Sequence, residues 1–258
     1  MVAAASAAGY LVDLDGTLMS GRSALRGAVE LVERLAERLV IVSNDAEHAP
    51  DQLAARLRAA RLHVPAERIV LAGTTALELL ATEQPRSKVM LLASIALRRY
   101  ARRLGLRVTH ERPDAVVLAR DRSFTYTKLM SAANAVRAGA EVVICNPDKT
   151  HPGTAGDVVP ETGALAAALL ACTGPVPHRV IGKPEPALFV KGMALLGIEP
   201  HEGVVIGDNP ETDGVGAKRV GLRYLRARPG IRLRLEELRD DPSIVPDEHR
   251  QAAAQGIL

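Results

Sequence analysis

The stretch Tyr10-Leu11-Val12-Asp13-Leu14-Asp15-Gly16-Thr17-Leu18 opens with an apolar run that stops on a carboxylate. A second carboxylate stands two places on, followed by a glycine. A short continuous apolar run reads as a strand buried on both faces, the kind found in parallel sheets. Working outward, Leu25 to Leu39 has apolar residues at helical spacing (Leu25, Ala28, Val29, Leu31, Val32, Leu35). Leu39-Val40-Ile41-Val42-Ser43 is a second buried-type strand, Pro50 to Leu62 is again helical, and Arg68 to Leu71 reads as a third strand. This β-α-β-α-β alternation is the signature of a parallel sheet covered by helices. The last third repeats the rhythm: a strand over His178 to Gly182, then a helix over Ala187 to Leu196 stopped by Gly197. A strand over Gly203 to Asp208, a helix over Glu211 to Val220 and a strand over Leu222 to Leu225 follow. The charged, proline-containing tail beyond Pro229 is expected to wrap the surface or fray.

The middle has elements of its own. Lys88 to Leu92, Ala115 to Leu118 and Glu141 to Cys145 read as strands; Ser94 to Leu104, Thr125 to Ala138 and Thr162 to Cys172 read as helices. A segment of about 100 residues can hold its own core. The expected division is a core of residues 1–75 and 178–258 with an inserted α/β domain over 76–177.

Composition narrows the function classes. The 258 residues are 47% hydrophobic and 24% charged, which excludes disorder as the dominant state. No apolar run reaches the roughly 18 residues of a membrane span, and Met1 to Ala8 lacks the basic start of a signal peptide. Two cysteines cannot staple a chain of this size, so a reducing cytoplasm is the natural home. Cys145 and Cys172 are expected to pack in the core of the insert. Net charge is only +3, Trp is absent, and there are two Phe and four Tyr, which disfavours a nucleic-acid partner. Arg98, Arg99, Arg102 and Arg103 read as the solvated face of one helix. The histidines carry no zinc-type spacing.

Chemistry gathers at the strand ends. Open α/β sheets place ligands at the carboxyl ends of their strands. Asp13 ends the first strand and Asp15 stands two places on, Ser43 and Asn44 end the second; Lys183 follows the strand at 178–182, Asp208 ends the strand at 203–208 and Asp213 comes five places later. Clustered carboxylates repel one another unless a cation neutralises them, and Mg²⁺ suits oxygen ligands completed by a substrate phosphate. An Asp carboxylate can attack phosphorus, a second one can act as acid and then base, and a lysine and a hydroxyl can balance charge on the transferring phosphoryl oxygens. Each piece alone has an ordinary explanation: Asp-x-Asp is common in solvated turns, Gly-Lys-Pro in loops, Ser-Asn at helix caps. Their order and strand context together make coincidence a poor account.

On these residues the sequence resembles the haloacid dehalogenase superfamily of phosphatases. Within it, the chain is similar to the subclass IIA, NagD-like branch, which includes p-nitrophenyl, phosphoglycolate and pyridoxal phosphate phosphatases. The residues that carry the likeness are Asp13-Leu14-Asp15-Gly16-Thr17-Leu18, Ser123 to Leu129, Asn146-Pro147-Asp148, Pro160 to Leu165 and Gly182-Lys183-Pro184. The resemblance spans about residues 9 to 228. It implies a doubly wound, Rossmann-like parallel core with an inserted α/β cap of type C2. Thirty positions between Asp13 and Ser43 leave no room for a cap there, so the insert falls between Ser43 and Lys183.

By the same resemblance Asp13 is the nucleophile and a Mg²⁺ ligand, and Asp15 is the general acid and base and a ligand through its main-chain carbonyl. Asp208 is a further ligand. Ser43 and the backbone of Asn44 hold phosphoryl oxygens, Lys183 offsets charge between nucleophile and phosphoryl group, and Asp213 orients Lys183 or a metal-bound water. The implied activity is Mg²⁺-dependent hydrolysis of a small phosphate monoester through an aspartyl-phosphate. Substrate candidates are a nucleoside monophosphate, phosphoglycolate, glycerol phosphate, a sugar phosphate and pyridoxal phosphate. The resemblance also suggests a homodimer, which the residues themselves do not show.

Two positions stay open. The family commonly has Asn where this chain has Asp45; that residue either caps the following helix, the favoured reading, or touches a hydroxyl or amine of the leaving group or weakens phosphate affinity. His151, in the loop Asn146 to Pro152, is either a surface residue or a substrate ligand. The rival from another class is a non-catalytic binder of a phosphometabolite, toward which only Asp45 points. A receiver-like domain shares an acidic sheet edge but has no such insert.

Overall fold

A computed structural model describes residues 7–153, 156–228, 232, 233 and 235. The chain divides into two compact units. The first comprises Met1–Ser43, Asp51–Val70 and Lys183–Leu258; the second comprises Asn44–Pro50 and Leu71–Gly182.

In the first unit, strand β1 (Gly9–Val12) is buried along its whole length. A small hairpin of β2 (Met19–Ser20) and β3 (Ser23–Ala24) follows, turning at Gly21. Helix α1 (Ala28–Leu35) is shorter than its apolar spacing predicts. It starts only after Gly27, which takes the left-handed φ of 90°. Strand β4 (Leu39–Ser43) is wholly buried, α2 spans Pro50–Ala59, and β5 is Ile69–Leu71.

The second unit continues with α3 (Ala72–Glu83), β6 (Lys88–Leu92), α4 (Ile95–Arg103), β7 (Arg107–Val108) and β8 (Ala115–Leu118). It ends with α5 (Tyr126–Arg137), β9 (Glu141–Ile144), β10 (Thr150–Pro152), β11 (Val158–Pro160), α6 (Thr162–Thr173) and β12 (His178–Val180). Ser94 and Thr125 cap α4 and α5 by accepting from the main-chain N–H groups of Leu97 and Lys128. Its sheet runs β12-β9-β8-β6-β7, every pair parallel. Leu92, Val116, Leu118, Val142, Ile144 and Leu169 share its core, each side chain stabilising by about 1.5–3 kcal/mol through burial.

The expected boundary at 177/178 is corrected here. His178–Val180 pairs in parallel with Val142–Ile144, so this strand closes the second sheet rather than the first. A rhythm of alternating strands and helices does not say which sheet a strand joins. Helix α3, absent from the sequence reading, begins Ala72-Gly73-Thr74-Thr75, small and polar residues that resemble a loop yet are buried. Cys145 is buried as expected, but Cys172 is exposed on α6.

The chain returns to the first unit with α7 (Ala187–Leu196), β13 (Gly203–Gly207), α8 (Val215–Arg219) and β14 (Arg223–Arg226). The helix expected from Glu211 is split: Pro210–Gly214 forms a π-helical turn before α8. The sheet order is β14-β13-β1-β4-β5. From β1 the chain first winds outward through β4 and β5, then returns to the other side of β1 with β13 and β14. The order therefore reverses between β1 and β13, the switch point where such sheets hold ligands. Gly192 lets α7 lie close on the sheet; a Cβ there would come within 2.8 Å of Leu11 Cδ2. Most of the tail and Met1–Ser6 lie outside the described residues, so the expectations for them do too. Of the tail, Leu233 donates its N–H to the Arg26 carbonyl, and Arg232 pairs with Glu30 at 2.6 Å. No helix among the described residues is long and apolar enough to cross a membrane.

Candidate active site

Asp13 directly follows β1, and its N–H donates to the Ile206 carbonyl of β13 at 2.8 Å. That bond fixes the end of one strand to the end of its neighbour across the switch point. Asp13 is 7% exposed, Lys183 3% and Asp213 1%. The Lys183 ammonium donates to Asp13 Oδ1 at 2.5 Å and to Asp213 Oδ1 at 2.7 Å. One carboxylate oxygen from each of Asp13, Asp208 and Asp213 lies within 4.8 Å of the others.

Two glycines make this crowding feasible. Gly16 has φ +86°, and a Cβ on it would sit 2.3 Å from Asp208 Oδ2. A Cβ on Gly207 would sit 2.2 Å from Asp213 Oδ2 and 2.4 Å from its Cγ. Because Asp213 is held by Lys183, it cannot simply swing aside. Gly207→Ala is therefore expected to shift the Asp213–Lys183 pair and lower kcat/KM for p-nitrophenyl phosphate about 100-fold. Unchanged kinetics in the folded variant would show that the carboxylate relaxes freely. Tyr224, buried on β14, donates its hydroxyl to the Gly207 carbonyl at 3.0 Å and steadies the same strand end. The sequence reading missed this residue; a tyrosine beside a leucine at the middle of a short strand is the one signal that a buried hydroxyl needs a partner.

Asp208 accepts from Thr17 Oγ1 at 3.4 Å. Partial burial raises the Asp208 carboxyl above its ordinary value, and the Asp13 charge adds to this. Burial pushes Asp213 up to about 7, with Lys183 opposing and Asp13 assisting. Burial alone would lower Lys183, but Asp13 and Asp213 hold it above its usual range, so it stays an ammonium. Three carboxylates against one ammonium leave an excess of negative charge. The donor set is all oxygen, which suits a hard divalent cation.

Ser43 ends β4 and is buried. Asn44 Nδ2 donates to Asp148 Oδ2 at 3.0 Å. The Asp15 side chain is exposed and outside the carboxylate cluster; a ligand role through its main-chain oxygen asks nothing of that side chain. Asp45 bonds within its own turn, in keeping with its reading as a cap. Its Oδ1 accepts from the N–H groups of Glu47 and His48, each at 2.8 Å, and its Oδ2 lies 2.7 Å from His48 Nδ1. The bonds to His48 and the backbone outweigh burial and hold the Asp45 carboxyl below its ordinary value. His151 lies in the second unit, its Nδ1 2.7 Å from Glu161 Oε1. Burial raises the Glu161 carboxyl even so.

Two other likeness-bearing segments hold the second unit together. Lys128 donates to Asp121 Oδ2 at 2.7 Å and to the Ser123 carbonyl at 2.9 Å. Gly163 gives its N–H to the Asp148 carbonyl at 2.8 Å, and a Cβ there would meet the Pro147 carbonyl oxygen at 2.1 Å.

Comparison with known proteins agrees with this architecture. Residues 10–107 match the family model of haloacid dehalogenase-like hydrolases, and residues 180–252 match a second, HAD-hydrolase-like model. An acid sugar phosphatase of Staphylococcus aureus is 30% identical over 226 residues, 86% of each chain. The structure of a glycerol phosphate phosphatase from Mycobacterium tuberculosis, solved with magnesium, is 33% identical with a TM-score of 0.83. That match covers 94% of this chain and 74% of the other. NagD from E. coli K-12 is 26% identical with a TM-score of 0.79, covering 88% of this chain and 89% of that one. With the nucleophile-type aspartate, the lysine and the two further aspartates at one switch point, the chain belongs to the haloacid dehalogenase-like hydrolases, in their NagD-like branch of phosphatases that act on small phosphate esters.

Proposed function

We propose that the chain is a Mg²⁺-dependent phosphatase of small polyol and sugar phosphates that works through an aspartyl-phosphate. The observation that carries this reading is the Lys183 ammonium shared between Asp13 and Asp213 inside the three-carboxylate cluster. The names of the S. aureus and M. tuberculosis relatives support the substrate class.

Asp13, Asp208 and Asp213, with the main-chain oxygen of Asp15, would hold the cation. When bound, it neutralises the carboxylates and offsets charge on the phosphoryl oxygens. Asp13 attacks phosphorus, and the bond to the leaving alcohol oxygen breaks. Asp15 gives that oxygen its proton, then takes one from the water that cleaves the acyl phosphate. Ser43 and the Asn44 N–H hold phosphoryl oxygens, and Lys183 keeps Asp13 in place and offsets charge. The second unit acts as the cap. Asp45, the one feature that pointed to a non-catalytic binder, is engaged in its own turn.

The test is phosphate release from a panel: glycerol phosphate, dihydroxyacetone phosphate, sugar phosphates, phosphoglycolate, pyridoxal phosphate and nucleoside monophosphates. Turnover is expected with Mg²⁺, highest on the three-carbon and sugar esters, and abolished by EDTA. Mg²⁺ and phosphate binding without release from any ester would favour the binder instead.

A further inference from the structure

The chain leaves the first unit between Ser43 and Asn44. The seven residues that follow, Asn44–Pro50, are bonded into the second unit from several elements. The carbonyls of Asp45 and Ala46 accept from the N–H groups of Gly73 and Arg120 at 3.1 and 3.0 Å. The Glu47 carbonyl accepts from Ser94 Oγ at 2.5 Å.

Those main-chain bonds form whatever side chain stands at position 47. The Glu47 carboxylate adds something specific. It lies 3.2 Å from Arg120 Nη1 and 3.8 Å from Arg122 Nη1, and is 18% exposed. Arg120 Nη1 also reaches Glu161 Oε1 at 3.4 Å, and Glu161 in turn meets His151. A mostly shielded ion pair is less screened than a surface one, and such a pair can fix a geometry while adding little stability. A turn that merely connected two elements would need no such clamp.

We propose that Glu47 is a positioning residue for the phosphoryl-holding pair Ser43–Asn44, clamped by Arg120. The inference rests on the assignment of Ser43 and Asn44 to phosphoryl oxygens. Releasing the clamp lets the Asn44 N–H drift from its direction. That loss weakens ground state and transition state alike, so KM rises while kcat holds.

The test is Glu47→Gln, read by inhibition with inorganic phosphate and by calorimetric titration of phosphate in Mg²⁺. Phosphate affinity and KM for p-nitrophenyl phosphate are each expected to weaken about tenfold at little change in kcat. Glu47→Asp, which keeps the charge, should recover part of the loss and remains a measurable variant should Glu47→Gln not fold. Wild-type phosphate affinity in folded Glu47→Gln would overturn the proposal; a lowered melting temperature alone would also count against it. Calorimetry reads the phosphate site even in a chain that turns nothing over, so failure of the phosphatase reading is seen separately, as wild-type phosphate binding without release.

Discussion

Asp13→Asn is expected to cut Mg²⁺-dependent phosphate release by at least about 10⁴-fold while leaving the fold intact. The amide keeps an oxygen that can accept from Lys183, so the local packing at the end of β1 is preserved. What disappears is the carboxylate proposed to form the covalent bond to phosphorus. The substitution also removes one negative charge from the cluster, and cation affinity falls with it. Single-turnover measurement with saturating Mg²⁺ separates the two effects. An Asp13→Asn enzyme that retained even about a hundredth of wild-type turnover under those conditions would show that phosphoryl transfer goes directly to water.

Lys183→Met is expected to cost about 3–5 kcal/mol of stability in EDTA at pH 8, because it leaves buried carboxylates facing each other without their cation. Asp13 and Asp213 both accept from this one ammonium, and all three side chains are at least nine-tenths buried. The pH dependence follows from the direction of the shift. Asp213 already sits at about 7 through burial, with the ammonium present; without it the carboxyl rises further. A carboxyl raised in the folded state binds its proton more tightly there than in the unfolded chain. Stability therefore falls as pH climbs from the unfolded value near 4 through the folded one. The deficit of Lys183→Met is largest above neutrality and shrinks in acid. Millimolar Mg²⁺ should return part of it, since the ion binds only the folded site. Urea denaturation with and without EDTA measures both arms. A variant as stable as wild type at pH 8 in EDTA would show that the three charges are not coupled.

The parallel core was legible because its strands are continuous apolar runs that end on polar residues. Val12-Asp13, Val42-Ser43 and Gly207-Asp208 each state both the strand and where it stops. Asp13 and Asp208 of the carboxylate cluster were legible for the same reason: a charged side chain directly after a buried strand has few places to be. What the sequence hid was non-local. His178–Val180 carries no mark of which sheet it joins; only its pairing with β9 decides that. Helix α3 is buried nearly all round its first turns, so no polar face marks its period. Asp45 had two readings because one carboxylate can cap a turn or meet a ligand, and only the positions of Glu47 and His48 choose between them. The need for glycine at 16 and 207 likewise appears only once Asp208 and Asp213 are placed against them.

The sheet order of the first unit also sets a timetable for synthesis. β1 carries Asp13, yet the neighbour that fixes it, β13, is made some 190 residues later. Long-range parallel pairing of this kind is slow to form. The second unit's largest segment, Leu71–Gly182, is by contrast continuous and holds its own sheet. It can collapse on the ribosome while β1, β4 and β5 still wait for their partners. A chain broken off before residue 183 then holds Asp13 and Asp15 but lacks Lys183, Asp208 and Asp213. Such a fragment has the proposed attacking carboxylate without the charges clustered around it in the folded core. Under the proposed mechanism, reactivity is withheld until the last strands of the core have been delivered.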